Sequence, residues 1–296
     1  MAKIMITGIT GYIGSQLASY LLNENQVYGL VRMPLNTTYL NENTQYDLVL
    51  LPYDGTFESV LDAMQKVQPD IVYHLATYYI GTHSPKDIAL LMESNLKFGL
   101  YVIEAMLNCG CNKLVYASTS TTHNSEQNYR PFSLYAATKQ AFTDMVEFYT
   151  NNRKLYAGAV VLSDTYGPKD KRPKVLNLVR DAVLSGSTLD LTSGIQIYDA
   201  LYIDDVIRAF ICTADALGNN NKTSHLLFQP SALQQYTLRE TVELFLNINN
   251  LKLNANWGAR PEPSVLLTEK IRLYSWPLNW KPLVSLEEGL QLFWNN

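Results

Sequence analysis

The sequence predicts an α/β protein built on a doubly wound parallel sheet, with a smaller C-terminal lobe. Three observations predict it. The chain opens with a short apolar strand, a turn carrying Gly8, Gly11 and Gly14, and an amphipathic helix, in that order. From there to about residue 162, short apolar runs alternate with helical patterns, which implies parallel strands joined by right-handed crossovers. Each polar motif in this half falls at the carboxyl end of a predicted strand, where ligands of such sheets bind.

The elements follow in order. Residues 3–7 form an apolar run with no room for a helix before the glycines, and read as a buried parallel strand. Gly8 permits a tight turn, Gly11 lets the backbone approach a pyrophosphate, and Gly14 lets helix and strand pack closely. The phosphate would sit at the N-terminus of a helix expected over 13–23, beside Tyr12 and Ile13, as in a Rossmann-like dinucleotide site. Further strands are expected at 27–31, 48–51, 71–75, 113–118 and 156–162, and helices at 57–67, 87–108, 133–152 and 174–185. After about residue 165, Tyr166-Gly167-Pro168 breaks the alternation and a Lys/Arg/Pro-rich loop, 168–174, follows. Shorter strands near 189–191, 197–203 and 224–228 come next, with helices near 204–217 and 238–249. Four of the twelve prolines lie between 261 and 282, so that stretch reads as loop until a final helix at 285–294. Residues 1–165 are therefore expected to form a dinucleotide-binding domain. Residues 166–296 are expected to form mainly a substrate-binding lobe, with segments returning to the first domain.

Composition narrows the partners. A hydrophobic content of 47% over 296 residues is ample for a core. A net charge of −4 and a pI near 5.6 argue against nucleic acid or an anionic membrane as main partner. No apolar stretch approaches the roughly 18–20 residues of a membrane span, and the early glycine turn leaves no space for a signal peptide. A cytoplasmic location is expected. Cys109, Cys111 and Cys212 are odd in number, and the close pair lacks the spacing and histidine partners of a zinc site. Reduced thiols and no metal are expected.

Tyr135 and Lys139 stand one turn apart on one helical face. A lysine ammonium there would lower a phenol pKa that is otherwise about 10, so that the phenol exchanges a proton with a substrate oxygen near neutral pH. The same spacing also arises by chance in solvated side chains. Here, however, the strand 113–118 opens into Ser118-Thr119-Ser120, whose hydroxyls could hold the same substrate oxygen. Arg32 ends the second strand, where an acidic residue would grip the adenosine ribose and an arginine can pair with a 2′-phosphate. That favours NADP over NAD, against the plainer alternative of a solvated arginine. Asp54 either accepts from the adenine amino group or makes a turn. Leu75, Ala76 and Thr77 would let a cofactor lie against the backbone, while His74 reads as a core histidine and His123 as a loop residue.

With these residues in view, the chain resembles the extended short-chain dehydrogenase/reductase family of nucleotide-sugar epimerases, dehydratases and 4-keto-reductases. The resemblance is clear over residues 1–210 and faint beyond. It rests on Thr7-Gly8-x-x-Gly11-x-x-Gly14, His74-Leu75-Ala76, Asn95 in the next helix and Val115-Tyr116-Ala117-Ser118. Tyr135-x-x-x-Lys139, Tyr166-Gly167-Pro168 and Tyr202-Ile203-Asp204-Asp205-Val206 complete it. The run Arg130-Pro131-Phe132 before Tyr135 looks most like reductases forming CDP-abequose or CDP-paratose type dideoxysugars.

The resemblance implies that Tyr135 is the acid/base and that Lys139 binds the nicotinamide ribose. Thr119, or Ser120 one residue on, would be the hydroxyl partner, with Asn95 and Ser118 bordering the cofactor. Two positions depart from the family: its phosphate-binding arginine is Tyr198 here, and its asparagine before Tyr-Gly-Pro is Asp164. Lys169, Lys171, Arg172 or Lys174 would supply the lost charge, or else form an ordinary solvated loop. The expected activity is NADPH-dependent reduction of a keto group on a nucleotide-linked deoxysugar. The same residues would serve an NAD-dependent 4-epimerase, whereas a non-catalytic dinucleotide-binding scaffold would need neither Tyr135 nor Lys139. The family habit implies a homodimer through helices 87–108 and 133–152.

Overall fold

Alternation along the first strand decides the layering. In β1 (Lys3–Thr7), Ile4 and Ile6 enter one buried cluster and Met5 the other, because successive side chains of a strand point to opposite faces. The computed structural model describes the chain except residues 37, 41–47, 126–127, 220–224, 264 and 296. After β1 come α1 (Tyr12–Leu21), β2 (Gln26–Arg32), β3 (Val49–Tyr53), α2 (Phe57–Val67) and β4 (Ile71–His74). The expected helix 87–108 is α3 (Asp87–Met92) and α4 (Phe98–Asn108), joined by a π-helical turn at Glu93–Lys97. β5 (Lys113–Thr119) leads through a 3₁₀ turn into a small hairpin, β6 (His123–Ser125) and β7 (Asn128–Tyr129), then α5 (Leu134–Asn152) and β8 (Tyr156–Leu162).

The second half runs β9 (Asp164–Tyr166), α6 (Val175–Ser185), β10 (Thr188–Leu191), β11 (Ala200–Tyr202) and α7 (Ile203–Asn219). β12 (His225–Phe228), α8 (Leu238–Ile248), β13 (Asn254–Trp257) and α9 (Leu286–Asn295) complete it. Among the described residues the central sheet has seven strands in the order β3-β2-β1-β4-β5-β8-β12, all parallel. α1 and α7 bury Leu17, Ala18, Val206 and Phe210 on one face. α2, α4 and α5 bury Val60, Met64, Val102, Ile103, Phe142 and Val146 on the other. The strand order reverses between β1 and β4, and the crevice at their carboxyl ends is where such sheets bind ligands.

Several elements differ from expectation. β3 ends later than predicted and contains Pro52, which is tolerated because β3 is an edge strand. Only the end of the predicted 197–203 strand forms, as β11, and it pairs with β9, which has no counterpart in the sequence reading. β10 pairs with β13, whose sequence Asn-Ala-Asn-Trp has too little apolar character to read as a strand. β12 returns to the main sheet beside β8; residue 224, at the start of its predicted range, lies outside the described residues. Among the described residues no helix is long and apolar enough to cross a membrane, and Cys109, Cys111 and Cys212 are free.

The glycine turn supplies a stability test. A Cβ on Gly14 would collide with the Gly8 carbonyl, whereas one on Gly11 would lie 3.2 Å from that oxygen. Gly14→Ala should therefore lower unfolding stability by about 1–3 kcal/mol in urea titrations, as overpacking typically does. Gly11→Ala should cost less stability yet still weaken dinucleotide binding.

Candidate active site

Gly8 has a φ of +72°, and a Cβ there would sit 2.6 Å from the Ala76 nitrogen. Only glycine lets this turn lie against the end of β4. The Leu75 and Ala76 amides donate to the Thr7 carbonyl and hydroxyl at 3.1 and 3.3 Å, pinning the ends of β1 and β4 together. α1 begins at Tyr12 with Gly11 as N-cap, no side-chain cap and no acidic residue in its first turn. Its leading N–H groups are thus available to an anion, and the helix dipole favours one. The Tyr12 hydroxyl donates to the Pro168 carbonyl at 3.2 Å, and its ring lies 4.7 Å from the Arg172 guanidinium. Ile13 packs against the same core cluster.

Arg32 and Asp54 stand at the ends of neighbouring strands, Arg32 paired in register with Tyr53. The exposed Arg32 donates from Nη2 to Ser94 Oγ at 2.6 Å. Asp54 Oδ1 accepts from the Thr56 hydroxyl and amide at 2.6 and 2.9 Å, and these bonds hold its carboxyl below the usual range. Asp54 therefore makes the turn into α2, one of the two roles its sequence position allowed.

Asn95 lies inside the π-helical turn and is 1% exposed. Its Oδ1 accepts from the Tyr78 amide at 2.8 Å and the Thr77 hydroxyl at 3.0 Å. Its Nδ2 donates to Thr138 Oγ1 at 2.9 Å and the Tyr78 carbonyl at 3.1 Å. All four hydrogen-bonding positions of the amide are taken within the protein. Asn95 thus serves the site by holding residues 77–78 against α5, rather than by offering its side chain to a cofactor.

Ser133 starts α5 by accepting from the Ala136 amide at 3.2 Å, and the Phe132 amide donates to the Thr121 carbonyl at 3.0 Å. The first turn of α5 is thereby drawn to the end of β5. Lys139 is 2% exposed, and burial pushes its ammonium down to about 8. Burial pushes the Tyr135 phenol up to about 12, against a hydrogen bond with Thr77; Tyr79 adds to the rise and Arg172 opposes it. The sequence predicts that Lys139 lowers the phenol; in the folded chain burial sets the direction, and the opposing influences come from Thr77 and Arg172. Tyr135 is a neutral proton donor at neutral pH. His74 is 1% exposed, 2.8 Å from Thr7 Oγ1 through Nδ1, and held down to about 3 by burial and then by the Lys139 charge. It is a core histidine.

Ser118 and Thr119 are buried at the end of β5. Thr119 Oγ1 lies 2.9 Å from Thr121 Oγ1 and accepts the Thr121 amide at 3.4 Å. Ser120, half-buried, opens the 3₁₀ turn Ser120–Thr122. Thr119 is the hydroxyl held in a fixed position.

The facing wall holds residues that sequence reasoning missed or left open. Tyr79 meets Tyr135 edge-on, with centroids 5.0 Å apart at 79°; no spacing or motif marks it. Lys174 Nζ stands 4.9 Å from the Tyr79 ring centre and 3.0 Å from Asp164 Oδ1. The Asp164 charge, against burial, raises the Lys174 ammonium above the usual lysine range. Arg172 grips the fully buried Asp170 through Nε and Nη2 at 2.9 and 2.7 Å. Tyr198 is buried, its hydroxyl held well above the ordinary range by burial and then by Asp164. Lys169 and Lys171 are exposed.

A dinucleotide turn, a buried lysine one helical turn from a phenol, and a fixed hydroxyl at the next strand end now stand around one crevice. The sequence model of the NAD dependent epimerase/dehydratase family matches residues 4–226. The chain belongs to that family. It is similar to a CDP-abequose synthase of Yersinia pseudotuberculosis, at 28% identity over 85% of this chain and 87% of that protein. It is also similar to a UDP-glucuronate 4-epimerase of Thermodesulfobacterium geofontis, at 24% identity over 98% and 94%. Its fold matches the structure of UDP-glucose 4-epimerase from Thermotoga maritima with UDP-glucose, with a TM-score of 0.83 at 20% identity over 99% and 97% of the two chains.

As an NAD(P)-dependent enzyme of the extended short-chain dehydrogenase/reductase type, the epimerase/dehydratase family member needs a place for the dinucleotide, and the residues fit one. The uncapped start of α1 and the glycines that keep its approach clear suit the pyrophosphate. When bound, the nicotinamide supplies or accepts hydride. Tyr135, a neutral phenol at neutral pH, is chemically able to give a proton to an oxygen beside it.

Two expectations follow. Lys139 is a cation held in a site that depresses it from 10.5 to about 8. The folded chain therefore binds fewer protons than the unfolded one between those values, and the penalty, about 3 kcal/mol, is full below pH 8 and fades towards 10.5. Lys139→Met should raise Tm at neutral pH, lose that gain above pH 10, and abolish turnover. Separately, Thr119→Ala should reduce kcat more than Ser120→Ala, with Thr119→Ser restoring most of the loss; steady-state kinetics on the three variants decide it.

Proposed function

We propose that the enzyme reduces the 4-keto group of a 6-deoxy nucleotide sugar with NADPH, in deoxysugar biosynthesis. The observation that carries this reading is the likeness to a CDP-abequose synthase over most of both chains. Two features support it. Tyr135, held as a neutral phenol, is ready to protonate the oxygen as hydride reaches its carbon. Arg32 ends β2 where a 2′-phosphate would lie, and its bond to Ser94 holds the guanidinium at that edge. Thr119, with Ser120 beside it, would hold the carbonyl oxygen. Lys139 would bind the nicotinamide ribose, and Gly8, Gly11, Tyr12, Ile13, Gly14, Leu75, Ala76, Thr77 and Ser118 would line the dinucleotide. The working form would be a cytoplasmic homodimer joined by α3–α4 and α5, where Ile88, Leu90, Met92 and Phe148 are exposed.

NAD-dependent 4-epimerisation is the second reading, favoured by the likeness to the UDP-glucuronate 4-epimerase. The assay that separates them follows NADPH oxidation with CDP- and UDP-linked 4-keto-6-deoxyhexoses, beside exchange of 4-epimers. Net oxidation is expected, abolished in Tyr135→Phe, which should still bind NADPH; exchange without net oxidation would establish the epimerase instead. NADPH should bind about tenfold or more tightly than NADH, since a charge-assisted contact contributes roughly 1.5–3 kcal/mol. Fluorescence titration of wild type and Arg32→Ala checks this, with the preference collapsing in the variant.

A further inference from the structure

We infer that the Asp164–Lys174 ion pair makes this site select an uncharged sugar ring and reject a uronate. The inference rests on the nucleotide-sugar reading above and adds the property that sorts one such sugar from another.

The pair is close to the chemistry. Lys174 Nζ stands 4.9 Å from the centre of the Tyr79 ring, which in turn packs 5.0 Å from the Tyr135 ring. Asp164 follows Leu162 by two residues, and Leu162 is the register partner of Thr119. The two charges thus stand on the wall that reaches the phenol through Tyr79, just beyond the strand that pairs with the end of β5. In a hexose reacting at C4, the adjacent C5 carries C6. A group at C6 lies two bonds from the reacting carbon, so the charge of this wall is what it meets.

The wall carries cations, but each has its own carboxylate. Arg172 is engaged by Asp170 through two hydrogen bonds, and Asp170 is fully buried. Lys174 is engaged by Asp164 at 3.0 Å, with 27% and 38% of the two side chains exposed. Lys139, within α5, is buried at 2% exposure. A methyl or hydroxymethyl group at C6 meets a neutral surface, and hydroxyls meet a donor in Lys174 and an acceptor in Asp164. A carboxylate at C6 meets Asp164 as a like charge and must break an existing pair to reach Lys174. Replacing Asp164 by asparagine frees Lys174 as a cation for that carboxylate.

The test measures dissociation constants, with NADPH present, for UDP-glucose against UDP-glucuronate and for the matching CDP pair. The wild type should favour the glucose member by at least about tenfold. Asp164→Asn should shift the ratio towards the uronate by about ten- to a hundredfold, the worth of one charge-assisted contact. Asp164→Asn/Lys174→Gln should lose that shift, because the freed cation is gone. Lys174→Gln alone, which leaves Asp164 unpaired, should bind the uronate still more weakly than wild type does. A general defect in folding lowers both members together and leaves the ratio fixed. Equal binding of both sugars by wild type, or a ratio unmoved by Asp164→Asn while the sugars still bind, overturns the inference alone. Binding of neither sugar on either nucleotide overturns the nucleotide-sugar reading with it.

Discussion

One buried amide sets the separation between the floor of the crevice and the helix that carries the phenol. Asn95 bonds residues 77–78 on one side and Thr138 on the other, and Thr138 Oγ1 donates in turn to the Tyr135 carbonyl at 2.7 Å. An aspartate of the same shape would lose both donors and bury a charge; an alanine would strand the Tyr78 carbonyl and amide. The π-helical turn is what brings Asn95 to that point, since one extra residue in the turn shifts the side chain relative to a regular α-helix. The distortion is maintained because the amide it delivers is fully satisfied. Thr77, which touches the phenol, and Tyr79, which packs on it, are both carried by the segment that Asn95 holds.

Lys139 shows the opposite economy. Among the described residues no carboxylate lies within ion-pair distance of it, although it is almost wholly buried. A buried partner would ease its desolvation and hold its charge for structure. Without one, the charge stays free to act on the groups around it, at a cost in stability that a functional site tolerates. The neighbouring His74 remains neutral under that same charge, so the lysine does not gain a competitor for protons in its own pocket.

Much of this was legible in the sequence, because hydrophobic alternation and glycine spacing are local signals. The central strands from β1 to β8 and the helices between them follow from such runs; the glycine turn and the hydroxyl run Ser118-Thr119-Ser120 are marked by their places at strand ends, and Tyr135 and Lys139 by their spacing on one helix. What was not legible is non-local. β9 and β13 are short strands stabilised by partners far away in the chain, β11 and β10, and carry no strand-like run of their own. The π-helical turn leaves the apolar periodicity of 87–108 nearly unchanged, so that segment reads as one helix. Tyr79 is one of twenty tyrosines, and only its position over Tyr135 distinguishes it. The raised pKa of Tyr135 is non-local for the same reason: spacing reveals a lysine one turn away but not the depth of burial that sets the direction.

The two departures from the family pattern make sense together rather than apart. Read singly, Asp164 in place of an asparagine and Tyr198 in place of an arginine look like two lost contacts to phosphate. In the fold they adjoin one another, since Asp164 is the charge that most raises the Tyr198 hydroxyl after burial and also the partner of Lys174. An arginine at 198 would add a further cation beside Arg172 and compete with Lys174 for Asp164. With tyrosine there, Asp164 pairs with Lys174 and Asp170 pairs with Arg172, so the wall carries two cations and two anions. Each substitution removes a reason to keep the other family residue, which is why a change at one position alone would leave a half-buried charge without a partner.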